Sequence, residues 1–217
     1  MDGRPLGRQG FTLIELLLAV GLSALMVGVV MGTYLGIRNG VAESLVYHEA
    51  EVEGVLMSRR ILLDIESAYL GNPASQERFY FEGMATKIPW QTTRLSFVTT
   101  AVSEDAETLK GIADMGRVTY RLVPEGNGGE TYELYRDVAP LGSRYPVKKE
   151  LLSDRVREFR VVYEDRNHHF SREWNSRGAQ WKDRLPTLVR IELTVEDEKG
   201  KRHTFRGQAH PEQDWME

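Results

Sequence analysis

The sequence predicts an α+β protein, with one long N-terminal helix laid on an antiparallel β-sheet. Three observations predict it. Residues 11–37, FTLIELLLAVGLSALMVGVVMGTYLGI, hold a single charged side chain, Glu15. Helical periodicity then continues, with Val41, Leu45, Val52, Val55, Leu56, Leu62 and Leu63 set among acidic and basic residues. Beyond Gly71-Asn72-Pro73, short runs of alternating apolar and polar residues recur between turn signals, as strands require.

The apolar segment is long enough to cross a bilayer. About 27 residues at about 1.5 Å each give roughly 40 Å of helix, against a hydrocarbon core of about 30 Å. A secretory signal peptide has a shorter apolar stretch closed by a small-residue cleavage site, and no A-x-A pattern closes this one. The helix is therefore expected to stay with the chain. In the preceding MDGRPLGRQG, Arg4 and Arg8 outweigh Asp2, which predicts a cytoplasmic N-terminus and a body across the membrane. Gly28, Gly32 and Gly36 recur every fourth residue and fall on one helix face, a pattern that lets helices pack closely in lipid.

The periodicity predicts that the helix runs from about Thr12 to Leu70, ended by Gly71 and Pro73. Its amphipathic second half needs a sheet on which to bury its apolar stripe. Strands are predicted over 79–83, 94–102, 117–123, 132–137, 156–164, 188–197 and 203–208. Glu125-Gly126-Asn127-Gly128-Gly129 and Glu198-Lys199-Gly200-Lys201 supply the turns of two hairpins.

Composition narrows the function. The 217 residues carry a net charge of −4, which offers no general attraction to a phosphate backbone, so nucleic acid is not an expected partner. The absence of cysteine excludes disulfides, thiolate metal sites and a cysteine nucleophile. No catalytic constellation is found, and neither a cofactor nor a metal is expected. His168 and His169 lie beside Glu164, Asp165 and Glu173, but adjacent histidines diverge on an extended chain. The carboxylates Asp64 with Glu66 read as a solvated helix edge, and Asp197 with Glu198 as a hairpin turn.

The junction Gly10-Phe11-Thr12-Leu13-Ile14-Glu15 resembles the cleavage and methylation signal of type IV pilins and pseudopilins. The resemblance implies a pilin-like fold and three segments: a leader over 1–10, a membrane and filament-core helix over 11–37, and a periplasmic globular domain over 38–217. It also implies cleavage by a prepilin peptidase between Gly10 and Phe11, N-methylation of Phe11, and pairing of Glu15 with a neighbouring subunit's N-terminus. A carboxylate in an apolar helix costs about 2.5–3.5 kcal/mol or more at the bilayer centre, which fits retention for such a partner.

The stretch VREFRVVYEDRNHHFSREWNSRGAQWKDRLPTLVRIELTVED is similar to the J-type minor pseudopilins of type II secretion, the match resting on Trp174, Trp181, Leu185 and Pro186. At least one of the two tryptophans is expected to be a packing residue. That family implies a structural, non-enzymatic subunit of the inner membrane and then of a periplasmic pseudopilus. There it would sit at or near the tip and help to initiate assembly for protein export. The implied partners are the other minor pseudopilins, the major pseudopilin and the inner-membrane assembly platform. The alternatives are a minor pilin of a type IV pilus or DNA-uptake apparatus, and a membrane-anchored periplasmic enzyme or adhesin.

Overall fold

The structure, a computed structural model, describes residues 12–71, 79–86, 90–101, 115–126, 130–141 and 148–211, with the backbone alone over 39–49. Two units make up the chain, Met1–Val46 and Tyr47–Glu217. Helix α1 (Leu13–Glu66) supplies residues to both. In the first unit, Leu13–Arg38 has a mean hydropathy of 2.5 and none of it is buried.

In the second unit α1 ends four residues before the expected Leu70. The reason is competition from the sheet. Tyr69 donates its N–H to the Val98 carbonyl at 2.9 Å, the Thr100 N–H reaches the Ser67 carbonyl at 3.1 Å, and Ala68 bridges Thr99. Strand pairing thus takes over the backbone groups that another helical turn would have used. Gly71 does adopt a left-handed φ of 61°, but beyond this short pairing rather than at the helix end.

Nine strands follow among the described residues: β1 (Phe81–Ala85), β2 (Thr92–Thr99), β3 (Gly116–Pro124), β4 (Tyr132–Pro140), β5 (Lys148–Glu164), β6 (Phe170–Ser171), β7 (Trp174–Asn175), β8 (Leu188–Glu196) and β9 (Arg202–Ala209). They form one antiparallel sheet in the order β7-β1-β2-β3-β4-β5-β8-β9, with β6 paired to β5. The α+β pilin-like arrangement read from the sequence is the one observed. All seven predicted strands are present. The sequence reading missed β6, β7 and the first half of β5.

Strand β5 joins two parts of the sheet. Its first half pairs with β4, up to Val156, and from Val156 onward it pairs with β8. The other side of its second half is completed by side chains at the start of β2. The Phe159 N–H donates to Gln91 Oε1 at 2.8 Å, Gln91 Nε2 donates to the Arg157 carbonyl at 2.9 Å, and the Val161 N–H donates to Thr92 Oγ1 at 2.9 Å. A side-chain amide here stands in for the backbone of a missing strand, and the sheet curls so that β2 lies alongside β5.

The concave face packs against the last turns of α1. Ile61 and Ile65 are fully buried among Phe97, Tyr120, Leu134 and Val161, and each contributes about 1.5–3 kcal/mol by leaving water. Contact with β9 is close because Gly54 lacks a side chain; a Cβ there would overlap the ring of Phe205. Gln91→Leu, which leaves the Phe159 N–H and Arg157 carbonyl without these partners, should lower unfolding stability by about 1–3 kcal/mol. Denaturant unfolding of the full chain in detergent measures this, and Gln91→Glu, which keeps the acceptor, should lose less.

Candidate functional site

Gly10 and Phe11, the expected processing residues, lie outside the described residues. Glu15 lies in the first turn of α1. The Thr12 N–H donates to Glu15 Oε2 at 3.0 Å, the Thr12 hydroxyl donates to the same oxygen at 2.9 Å, and the Glu15 N–H approaches Thr12 Oγ1 at 3.4 Å. Thr12-Leu13-Ile14-Glu15 is a capping box, which satisfies donors that a helix start otherwise leaves open. The T-x-x-E spacing was visible in the sequence, but its capping role was not drawn from it. Both bonds converge on Oε2.

Along the same segment Leu17, Leu25, Val30 and Ile37 are 65%, 65%, 68% and 62% exposed. Gly28, Gly32 and Gly36 have open space where a Cβ would stand. Apolar surface this extensive is not sustained against water; its physical complement is lipid or other helices.

Within the second unit, polar chemistry is concentrated where α1 meets the sheet. Asp64, read from the sequence as part of a solvated edge, is in fact buried; only its neighbour Glu66 is exposed. Asp64 accepts from Arg136 through Nε to Oδ2 at 2.7 Å and through the second nitrogen to Oδ1 at 3.3 Å. Arg136 itself is wholly buried on β4. The Tyr120 hydroxyl on β3 donates to Asp64 Oδ2 at 2.6 Å. Burial first, and the Asp64 charge second, push that hydroxyl well above its ordinary pKa. The correction has a clear cause, since Arg136 sits 72 residues away in sequence and no local pattern announces it.

The tryptophan loop is packed rather than open. β7 pairs with β1 and carries Trp174 inward, 2% exposed, where its ring stacks on Trp181 at 4.7 Å and its Nε1 donates to the Arg184 carbonyl at 3.0 Å. Leu185 and Pro186 are buried behind them. Trp174 is thus a packing residue, as the sequence suggested for at least one of the pair.

The histidines turn apart. His168 Nδ1 contacts Glu164 Oε1 at 2.6 Å and His169 Nδ1 lies 3.5 Å from Asp165 Oδ2, with both rings largely exposed. Among the described residues no three metal-ligating side chains converge. At the other turn, Asp197 accepts from the N–H groups of Lys199 at 2.9 Å and Lys201 at 2.8 Å and contacts His203 Nε2 at 3.1 Å. The His203 contact, followed by the backbone donors, holds its carboxyl below the usual range. This is turn chemistry, as its sequence indicated.

These features define a membrane-anchored, pilin-like subunit, in which an uncovered apolar helix precedes a curled sheet packed on that helix's second half. A family model described as type II secretion system protein J matches residues 57–206, well over half the chain, and the protein belongs to that family. It is accordingly a minor pseudopilin, a structural component of the secretion system that associates with other pseudopilins and with the secretion machinery. No curated protein matches the chain. The matched region contains the Asp64–Arg136 pair and the tryptophan loop. Trp174→Ala should cost about 3–5 kcal/mol of stability, as for a buried aromatic. Trp181→Ala, which loses mainly the stacking of a part-exposed ring, should cost about 1 kcal/mol. Paired denaturation curves check the difference.

Proposed function

We propose that the chain is a precursor cut between Gly10 and Phe11 by a prepilin peptidase and methylated on the new N-terminus of Phe11. The mature subunit then leaves the inner membrane for a periplasmic pseudopilus, at or near whose tip it helps to initiate assembly for protein export. Its N-terminus faces the cytoplasm and its globular domain the periplasm while it awaits assembly. Membership of the protein J family favours this reading over a pilus or DNA-uptake role.

The observation that carries the assembly role is the state of Glu15. Its Oε2 is engaged by Thr12, and Oε1 makes no further contact among the described residues. That oxygen is left to meet the ammonium of a neighbouring subunit's Phe11. In an apolar bundle such a pair is mutually dependent, and removing one member costs about 3–5 kcal/mol. Gly28, Gly32 and Gly36, open on the helix surface, suit close approach of a neighbouring helix in the same bundle.

Two outcomes test the proposal. Gly10→Val should leave the precursor uncut, whereas the wild-type chain should give a mature mass beginning at N-methylated Phe11. Glu15→Ala should be processed normally yet assemble and secrete poorly, with Glu15→Gln retaining the cap in part but not the charge. Mass spectrometry and secretion assays measure these effects; a mature chain starting elsewhere, or wild-type secretion from both Glu15 variants, contradicts the proposal.

A further inference from the structure

The described sheet ends at β9, and nothing among the described strands pairs beyond it. The ladder between β8 and β9 sets which backbone groups face outward. Asp197 and Lys201 form a hydrogen-bonded pair through the Asp197 N–H and the Lys201 carbonyl at 2.9 Å, and such pairs alternate along an antiparallel ladder. In the register Leu193↔Phe205 and Ile191↔Gly207, Phe205 and Gly207 bond to β8. The N–H and carbonyl groups of Thr204 and Arg206 therefore point away from the sheet. An open edge of this kind is a template for another strand.

Beside that edge runs a groove between β9 and α1. Its apolar floor is formed by Val55, Leu62, Leu63 and Phe205, with Val55 50% and Leu63 45% exposed. Ser58 also lines it. This side chain is 7% exposed, and its Oγ is buried with no hydrogen-bond partner among the described residues. A buried hydroxyl without a partner is costly, and here it faces a groove that a polar backbone could enter.

The rim is basic. Arg59 projects from α1, exposed and without an ion-pair partner among the described residues, whereas Arg206 on β9, though 75% exposed, already donates to Glu192 Oε2 at 2.7 Å. Glu66 closes one end. Strand β9, RHTFRGQA, holds no acidic residue, so a second copy paired through β9 would bring no β9 carboxylate to Arg59. The complement is an extended segment with apolar residues on one face and an acidic residue beside Arg59.

We infer that the β9 edge and its groove receive an extended acidic segment of a sister pseudopilin, which adds to the sheet as a further strand. Backbone bonds to Thr204 and Arg206 supply pairing, the floor takes the alternate apolar side chains, and the Ser58 hydroxyl gains a partner. The inference rests on the family's association with other pseudopilins and not on a tip position.

The test uses the full chain in detergent with each sister minor pseudopilin in turn, reading affinity by titration and amide protection by hydrogen exchange. Binding should protect the Thr204 and Arg206 amides, which lie outside the β8 ladder. Thr204→Pro removes an outward N–H at an edge position where proline is tolerated and should weaken binding at least tenfold, whereas Thr204→Val, which loses the same hydroxyl bond to Thr194 but keeps the N–H, should bind as wild type. Arg59→Glu, on an exposed helix face, should weaken binding as Thr204→Pro does and lessen its dependence on salt. Wild-type affinity in both Thr204→Pro and Arg59→Glu overturns the inference, as does binding with unchanged exchange at 204 and 206. Protection that arises from self-association, or only from a secreted protein, also overturns it. If the wild-type chain binds no sister subunit at all, the pseudopilin assembly reading fails instead.

Discussion

The position of α1 on the sheet depends on the buried ion pair between Asp64 and Arg136. Apolar burial of Met57, Ile61 and Ile65 draws the helix to the concave face, but dispersion and hydrophobic contact are weakly directional. The carboxylate and guanidinium are not. Their two-point contact, with Tyr120 as a third member, tolerates little rotation or sliding of the helix, because either movement would break the bidentate geometry of two buried charges. With that rotation fixed, Gly54 falls over Phe205 and Leu62 meets Gly207, while Val52, Val55, Leu56 and Leu63 face outward. The surface offered to partners is thus set from inside the core.

The curled sheet answers a second constraint. A strand as long as β5 cannot pair fully with both neighbours when each covers only half of it. Gln91 and Thr92 close the gap with side-chain bonds, and the Phe81, Tyr163, Trp174 and Trp181 rings fill the space behind. Gly83 is required there, since a Cβ would run into the Tyr163 hydroxyl. Strand β9 is left at the end of this arrangement, beside the helix but unpaired on its outer side.

Much of this was legible in the sequence because the signals were local. An apolar run of membrane length, strand alternation on a sheet with one covered face, and the Asp197 turn each declare themselves within one continuous stretch of sequence. The features that were missed depend on distant partners. Asp64 looks like any helix-surface carboxylate until Arg136 arrives, and the helix end at Glu66 is decided by Val98 on β2 and Thr100 just after it. The first half of β5 shows little inward burial, so its alternation was faint, and β7 exists only because β1 pairs with it. At the candidate site, Glu15 was recognised for its charge in an apolar helix, whereas its local bond to Thr12 went unread.

A double-mutant cycle at Asp64 and Arg136, read by unfolding stability of the full chain in detergent, tests the central claim most directly. Asp64→Leu and Arg136→Met should each cost about 3–5 kcal/mol alone, because each removes the two-point partner of a buried charge, and Arg60, 3.7 Å from Asp64, is too distant to replace it. The double variant should recover most of that loss, giving a large coupling energy. Additive losses, with the double variant as unstable as the sum of the singles, would contradict a helix held in place by this pair.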